Sequence, residues 1–322
     1  MDEFGFIDSI KQEAYMQPSL IRGIGDDGAV FSSEAGKSFV TCIDTFVEGV
    51  HFSKETMQPF HVGYRALAAN ISDLAAMGAE PAFYLVSIVI PQSWEMKELS
   101  AIYAGMKELA KKYQMDLIGG DTVSGESLIL SITVIGRADK GKARYRSDAS
   151  VGDVVFVTGT LGDSQAGLHI LTNQGEYRNS NYFIDRHRMP EPRIPFALGL
   201  KGLSRIALND ISDGVASETN EIAEASNVTI ALNDEEIPIS SDFVQFPKQL
   251  QHQWKYFGGE DFELLGTVRE QDWEEVKRIA EKTNTRVSKI GRVTGGYKGH
   301  VLLKIDNKEE RLEKKGYNHL SR

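Results

Sequence analysis

Six short turns carry the residues that could do chemistry. They are Gly25-Asp26-Asp27, Ile43-Asp44-Thr45, Asn70-Ile71-Ser72-Asp73, Gly119-Gly120-Asp121-Thr122, Asn209-Asp210-Ile211-Ser212-Asp213-Gly214 and Gly258-Gly259-Glu260-Asp261. Several follow apolar runs, which places their carboxylates at strand ends, where loops can converge. Each turn alone also has an ordinary explanation, because Asp and Gly make turns and Asp caps helices; Asp213 fits the cap of a helix starting there. Together they are harder to explain that way. Two carboxylates at ~5 Å repel by roughly 3 kcal/mol at an effective dielectric near 20, so a fold that gathers several needs cations among them. Oxygen ligands without a His/Cys cluster favour magnesium, manganese or calcium over zinc. The calcium-loop pattern D-x-[DN]-x-[DN]-G is missing. Magnesium usually keeps waters and bridges carboxylates to substrate phosphates, which lets an acidic chain hold an anionic nucleotide.

Other chemistries are poorly supported. Gly23-Ile24-Gly25-Asp26-Asp27-Gly28 fits G-x-G-x-x-G, but Pro18 and Ser19 precede it and Ala29-Val30-Phe31 follows. A dinucleotide site needs a strand before and a helix after, and two carboxylates would stand where the diphosphate belongs. No G-x-x-x-x-G-K-[ST] occurs, and no Cys or Ser stands out as a nucleophile. Cys42 reads most simply as a small buried apolar residue. The intervals Asp73 to Asp121 and Asp213 to Asp261 are both 48 residues, an echo left by duplication or by chance.

The elements that must position these turns alternate apolar strands with amphipathic helices, an α/β or α+β pattern. Strands are expected at 38–43, 82–90, 115–118, 127–136, 153–158, 228–232 and 300–305. Helices are expected at 59–77, 94–113, 163–173, 195–206, 213–226 and 270–283, with Ser93 as an N-cap and Gly78 ending the first helix. Segment 174–195 is polar, holds Pro190, Pro192 and Pro195, and reads as a surface loop. Five basic residues, Arg137, Lys140, Lys142, Arg144 and Arg146, mark a boundary within 137–152. They are either a solvated linker or a cationic edge for phosphate. The 322 residues suit two domains, 1–138 and 139–322. Lys and Arg total 36 against 46 Asp and Glu, a net charge of −10 that disfavours nucleic acid or anionic membrane as partner. The acidic start MDEFGFIDSI is no secretory signal, no run of ~18 apolar residues spans a bilayer, and one cysteine permits no internal disulfide. A soluble, cytoplasmic protein is expected.

GIGDDGAVF, CIDTFVEGVHF, GYRALAANISDLAAMGAEP, DLIGGDTVSG, YRSDASVGD, VTGTLGDSQAGL, NDISDGVASE, FGGEDFELL and KGYNHL occur in this order. Over essentially the whole chain they resemble the thiamine-monophosphate kinases, within the aminoimidazole ribonucleotide synthetase superfamily. EGVHF and KGYNH are the parts more particular to the kinases. The resemblance implies an α/β (α+β) chain with a two-domain aminoimidazole ribonucleotide synthetase-like fold. Its N-terminal mixed sheet would bind metal and ATP and form a homodimer, and its C-terminal α/β domain would close over and complete the substrate site. It implies transfer of the ATP γ-phosphoryl group to thiamine monophosphate with several magnesium ions. Carried over by motif, Asp27, Asp44, Asp73, Asp121, Asp210 and Asp213 are metal ligands, with Cys42 and Thr45 assisting. Tyr103, Gly120, Asp121, Arg146 and Ser212 contact the nucleotide, and His51, Glu260 and Tyr317 the thiamine phosphate. Asp44, Asp121 and Arg146 carry catalysis. Two departures stand out: RSDASVGD replaces a common Gly-Ala-Lys stretch, and Asn318-His319-Leu320 replaces a common Asp-His-Phe.

The residues support this chemistry on physical grounds as well. A phosphate monoester, with a second pKa of ~6, is largely ionised at neutral pH and needs no strong base to act as acceptor. Alignment and charge neutralisation suffice, from magnesium and Arg146. Glu260 can balance the thiazolium charge and Tyr317 can face it. Each residue also has a plainer role: His51 in an exposed loop beside Glu48 and Gly49, Tyr103 in a helix core, Tyr317 in a tail, Arg146 in a linker. Two other readings compete. One is another ATP-dependent synthetase of the superfamily; a selenophosphate synthetase would carry a reactive Cys and a Lys near its start, where this chain has Cys42 in a strand and Lys11. The other is a metal- and nucleotide-binding regulator without turnover.

Overall fold

The computed structural model describes residues 10, 12, 14–22, 29–306 and 308–315; Asp26, Asp27 and Tyr317 lie outside the described residues. Two compact units divide the chain, residues 1–74 with 79–143 and residues 75–78 with 144–322.

In the first unit a four-stranded sheet runs in the order β3 (Lys37–Val47), β6 (Ile129–Asp139), β4 (Glu80–Ile90), β5 (Asp116–Ser124). β6 is antiparallel to both neighbours and β4 is parallel to β5, so the sheet is mixed. The parallel pair needs a crossover, supplied by helix α2 (Met96–Lys112). Alternation along β6, with Leu130, Ile132 and Val134 buried, turns one face toward a core. Helix α1 (Pro59–Ala76) packs there, Leu74 against Gly136, and crosses α2 so closely that a Cβ on Gly63 would meet the Ile102 carbonyl at 1.9 Å. Gly78, at φ +64, ends α1 as expected, with Gly78 N–H on Ala75 O and Ala79 N–H on Leu74 O. The opposite face is partly covered by the short pair β1 (Leu20–Arg22) and β2 (Val30–Phe31), whose Phe31 packs on Phe83.

The second unit holds a seven-stranded sheet, β13 (Lys308–Arg311), β12 (His300–Ile305), β9 (Thr229–Asn233), β11 (Val287–Thr294), β7 (Val154–Thr158), β10 (Leu264–Val268), β8 (Ile206–Asp210). Only β12–β9 is parallel. Helices α3 (Asp163–Thr172), α4 (Ser180–Arg188), α5 (Ile194–Gly199), α6 (Val215–Ser226), α7 (Lys248–Phe257) and α8 (Trp273–Lys282) complete it. Val155, Val157, Ala207, Leu265, Ile290 and Val301 make a core beneath α6. No helix among the described residues is long and apolar enough to cross a membrane.

Five local expectations are corrected. Helix 195–206 ends at Gly199, and after one 3₁₀ turn the chain enters β8. Segment 174–195 is no surface loop: it contains α4, with Phe183 and His187 buried. The cap of α2 is Glu95, whose N–H donates to Glu98 Oε2 at 2.7 Å, and not Ser93. The helix after Asp213 is capped at Gly214, at φ +102. The linker reading fails for Arg144, which is buried and donates from Nη2 to the carbonyls of Leu200 and Leu203 at 2.8 and 3.0 Å. The 48-residue echo has no structural counterpart either, since Asp73 lies within α1 whereas Asp213 lies before α6.

Candidate functional site

In the first unit the candidates divide between the two faces of the sheet. Asp44 and Cys42 share a side of β3 with the buried Val40 and Phe46. There the Asp44 backbone N–H donates to Asn70 Oδ1 at 2.9 Å, and Asn70 in turn donates to Ala66 O within α1. Asn70 thus ties the edge strand to the helix that carries half-buried Asp73, one turn further on. Thr45 points to the other side, in a polar row across all four strands: Thr45, Ser131, Ser87, Asp121. Thr45 Oγ1 and Ser131 Oγ are 2.9 Å apart, and Asp121 is exposed. The next row, Val47, Ile129, Val89, Val123, is apolar. Asp44 and Asp121 therefore stand on opposite edges, three strand spacings or about 14 Å apart, and one chain does not bring them to one ion. Gly120 beside Asp121 admits no side chain, because a Cβ would meet the Val86 carbonyl at 2.0 Å.

His51 sits in the turn after β3, half-buried, its Nδ1 accepting the Val47 N–H at 3.0 Å and its ring against Phe46. Neighbouring Glu48 accepts from the Trp94 indole N–H at 3.0 Å. Tyr103 is buried on α2, and burial pushes its hydroxyl well above the usual range. That is the core position the helix pattern predicts.

In the second unit the candidates gather. β8 ends in the buried Asn209 and Asp210, and the chain turns through Ser212 and Asp213 into α6. The GGED loop lies against this turn: Glu260 N–H donates to Ser212 O at 2.7 Å and Phe262 N–H to Ile211 O at 3.0 Å. The approach demands glycine, since a Cβ on Gly259 would meet Ser212 O at 2.2 Å. Glu260 and Phe262 have φ of +67 and +49, left-handed values that cost non-glycine residues energy and persist only when surroundings enforce them. The enforcing residue is Asp261 between them, 1% exposed, whose carboxylate accepts the Gly162 N–H at 2.7 Å and the Ser164 N–H at 3.2 Å. Arg146 joins the same group, its Nε donating to Asn209 Oδ1 at 2.9 Å and its Nη2 lying 3.2 Å from Glu221 Oε2. About half its side chain stays exposed, at 52%.

Sequence reasoning missed Glu218. It is 3% exposed on α6 and takes bonds from Asn209 Nδ2 at 2.5 Å, Asp213 N–H at 3.0 Å and Ser212 Oγ at 3.3 Å. Burial, then the nearby Asp210 carboxylate, pushes its carboxyl up to about 8. Its one signal was an acid in the first turn of an expected helix, which the helix dipole explains equally well. Such an acid surplus, all oxygen donors, fits a hard divalent cation. No group of three His, Cys, Asp or Glu among the described residues forms a ready cage. Magnesium rarely has one, completing its shell with waters and phosphate oxygens.

Residues 25–138 match the family described as AIR synthase related protein, N-terminal domain, and residues 150–304 its C-terminal domain. The thiamine-monophosphate kinase of Bacillus subtilis is 48% identical, covering 99% of each chain. Among solved structures, the thiamine-monophosphate kinase of Stenotrophomonas maltophilia superposes with a TM-score of 0.85 at 31% identity, over 96% of this chain and 98% of that one. AaThiL complexed with AMPPCP and TMP superposes with a TM-score of 0.78 at 32% identity, over 99% and 97%. With the second unit's motifs docked as described, this chain belongs to the thiamine-monophosphate kinase family of AIR synthase related proteins.

Proposed function

We propose that this chain transfers the γ-phosphoryl group of ATP to the phosphate of thiamine monophosphate, giving thiamine diphosphate and ADP. The observation that carries the reading is the cluster of Arg146, the Ser212–Asp213 turn and Glu260 around a buried acid surplus. Its setting is a chain that matches the kinase of Bacillus subtilis over 99% of both chains.

The acceptor is a phosphate oxygen already ionised at neutral pH. It attacks the γ-phosphorus in line as the bond to the β-phosphate oxygen breaks, and no proton need be removed. The protein's task is then alignment and charge. Arg146, oriented by Asn209 and half exposed, presents its guanidinium to the moving phosphoryl group. Asp44 and Asp73 with neighbouring Cys42 and Thr45, Asp121, Asp210 and Asp213, and Asp27, would hold magnesium. Bound there, the metal would supply neutralisation of the phosphate charge. Ser212, Gly120 and Tyr103 are assigned to the nucleotide, though Tyr103 would reach it only from a buried position. Glu260, His51 and Tyr317 are assigned to the acceptor, the carboxylate of Glu260 balancing the thiazolium.

The proposal includes a cytoplasmic homodimer joined through the sheet of the first unit. The exposed Ile43 and Val123 on that sheet support this, and light scattering should read twice the chain mass. Incubation with ATP, magnesium and thiamine monophosphate, followed by chromatography, tests the activity. Matched thiamine diphosphate and ADP, abolished by chelator, are expected. ADP without thiamine diphosphate would overturn the acceptor, and no ADP from folded protein would overturn the kinase.

A further inference from the structure

Glu218 reaches, from one carboxylate, the two parts of the second unit to which the proposed function gives phosphate and metal. Its Oε1 accepts the Asp213 N–H at 3.0 Å and the Ser212 hydroxyl at 3.3 Å, so it fixes the turn between β8 and α6. Its Oε2 accepts Asn209 Nδ2 at 2.5 Å, which orients the Asn209 amide with Oδ1 outward, where it receives Arg146 Nε at 2.9 Å. The backbone of Arg146 is held independently, its carbonyl accepting the Ser226 hydroxyl at 2.6 Å while Ser226 Oγ accepts the Ala149 N–H at 3.0 Å. Backbone anchoring leaves the long Arg146 side chain to be aimed by what its head group touches, namely Asn209 and, at 3.2 Å, Glu221.

Within this cluster Asn209 uses both ends of its amide, the nitrogen on Glu218 and, at 3.3 Å, on Glu221, and the oxygen on Arg146. Rotating the amide would set Nδ2 against the Arg146 guanidinium, donor facing donor. Glu218 Oε2 as acceptor at one end and the Arg146 guanidinium as donor at the other together fix the orientation of Asn209, and Asn209 in turn aims Arg146. A residue in the first turn of a helix whose only task were to complement the dipole would need none of these contacts.

We infer that Glu218 is a positioning residue of the nucleotide subsite, setting the Ser212–Asp213 turn directly and Arg146 through Asn209. This rests on the proposed kinase reading, which gives those residues their ligand.

The test exchanges the polarity of one bond. Glu218→Gln keeps the volume, but its amide nitrogen must face either Asn209 Nδ2 or the Asp213 and Ser212 donors. Asn209→Asp alone sets two carboxylates together. The double variant, Glu218→Gln with Asn209→Asp, rebuilds the bonds of Glu218 and Arg146 and gives up only the longer bond from Asn209 Nδ2 to Glu221 Oε2, 3.3 Å in the wild type. The new amide nitrogen at position 218 donates to the new carboxylate at position 209, which accepts also from Arg146. The amide oxygen at position 218 receives the Asp213 and Ser212 donors. Net charge is unchanged.

Kinetic constants should show kcat/KM for ATP down about 100-fold in Glu218→Gln, the scale of a misplaced catalytic group. KM for the acceptor should stay near wild type even where the thermal midpoint falls, since buried donors left facing a donor also cost stability, and the double variant should recover most of the loss. Calorimetry with magnesium and a non-hydrolysable ATP analogue should show the same weakening and the same rescue. An inactive wild-type protein would overturn the kinase reading, while this binding series would still judge the network. The inference is overturned by unchanged ATP constants and analogue affinity in Glu218→Gln, by a lowered melting point alone, or by losses that add in the double variant.

Discussion

Two buried carboxylates of the second unit, Glu263 and Glu218, have opposite electrostatic histories. Glu263 is fully buried in β10's approach and receives Arg193 Nε and Nη2 at 2.7 and 2.6 Å, Arg186 Nη2 at 2.7 Å and the Thr158 hydroxyl at 2.6 Å. Burial alone would push its carboxyl up, but Arg193 and Arg186 overcome this and hold it at about 2. Glu218 is nearly as buried, yet the charges that act on it most, Asp210, Glu221 and Asp213, are carboxylates, and burial with Asp210 raises it to about 8. The first cluster is neutralised by the protein itself and reads as architecture. The second gathers carboxylates beside main-chain and amide donors, with a single half-exposed arginine, Arg146, paired to Glu221 at its margin, an arrangement that suits the magnesium proposed there.

The largest effect should come from breaking the neutralised cluster. Glu263→Gln leaves two largely buried guanidiniums, at 13% and 14% exposure, without their shared counter-charge and should cost about 3–5 kcal/mol by urea unfolding. The sign with pH follows from the depressed pKa. Glu263 adds stability above its ordinary value of 4.5, and this is lost as pH falls through about 2. The variant's stability profile should therefore lack part of the wild-type acid limb between those values.

Next, Asp210→Asn removes a like charge from beside Glu218. It should lower kcat by about 10²–10³-fold while leaving the urea midpoint unchanged or higher, the opposite of Glu263→Gln. A midpoint that fell with Asp210→Asn would break the comparison. Ligand linkage sharpens it further. Magnesium with a non-hydrolysable ATP analogue at a hundred times its Kd should stabilise wild type by about 2.7 kcal/mol, and Asp210→Asn by much less, read as the shift in melting temperature. The smallest effect is expected at an exposed pair, Lys277 with Glu274 at 2.8 Å. Lys277→Ala should change stability by less than about 0.5 kcal/mol, showing that burial, and not pairing as such, makes the Glu263 cluster costly to break.

The same contrast explains what could be read from the sequence. β4, β6, α1 and α2 were legible because their apolar spacing runs long enough to fix both type and face. α4 was not, because two of its inward residues are Arg186 and His187, and the glutamate that justifies Arg186 lies 77 residues away. β8 was hidden because IALND is five residues long, too short for its own pattern to outweigh the helical reading begun in α5. At the site, the acidic turns were visible by type, and the need for cations followed from their number. That NDISDG docks on GGED was not visible, since the bonds run from main chain to main chain. Nor was the separation of Asp44 from Asp121, which depends on strand order.

Manganese, a spin-active substitute for magnesium, gives the most direct measurement of the central claim. Free Mn²⁺ is followed by electron paramagnetic resonance during titration of wild type, Glu263→Gln and Asp210→Asn, each with a non-hydrolysable ATP analogue and under conditions where it is folded. The acid surplus around Glu218 predicts that wild type and Glu263→Gln bind alike and that Asp210→Asn loses at least one equivalent of ion. Equal binding by all three would contradict it.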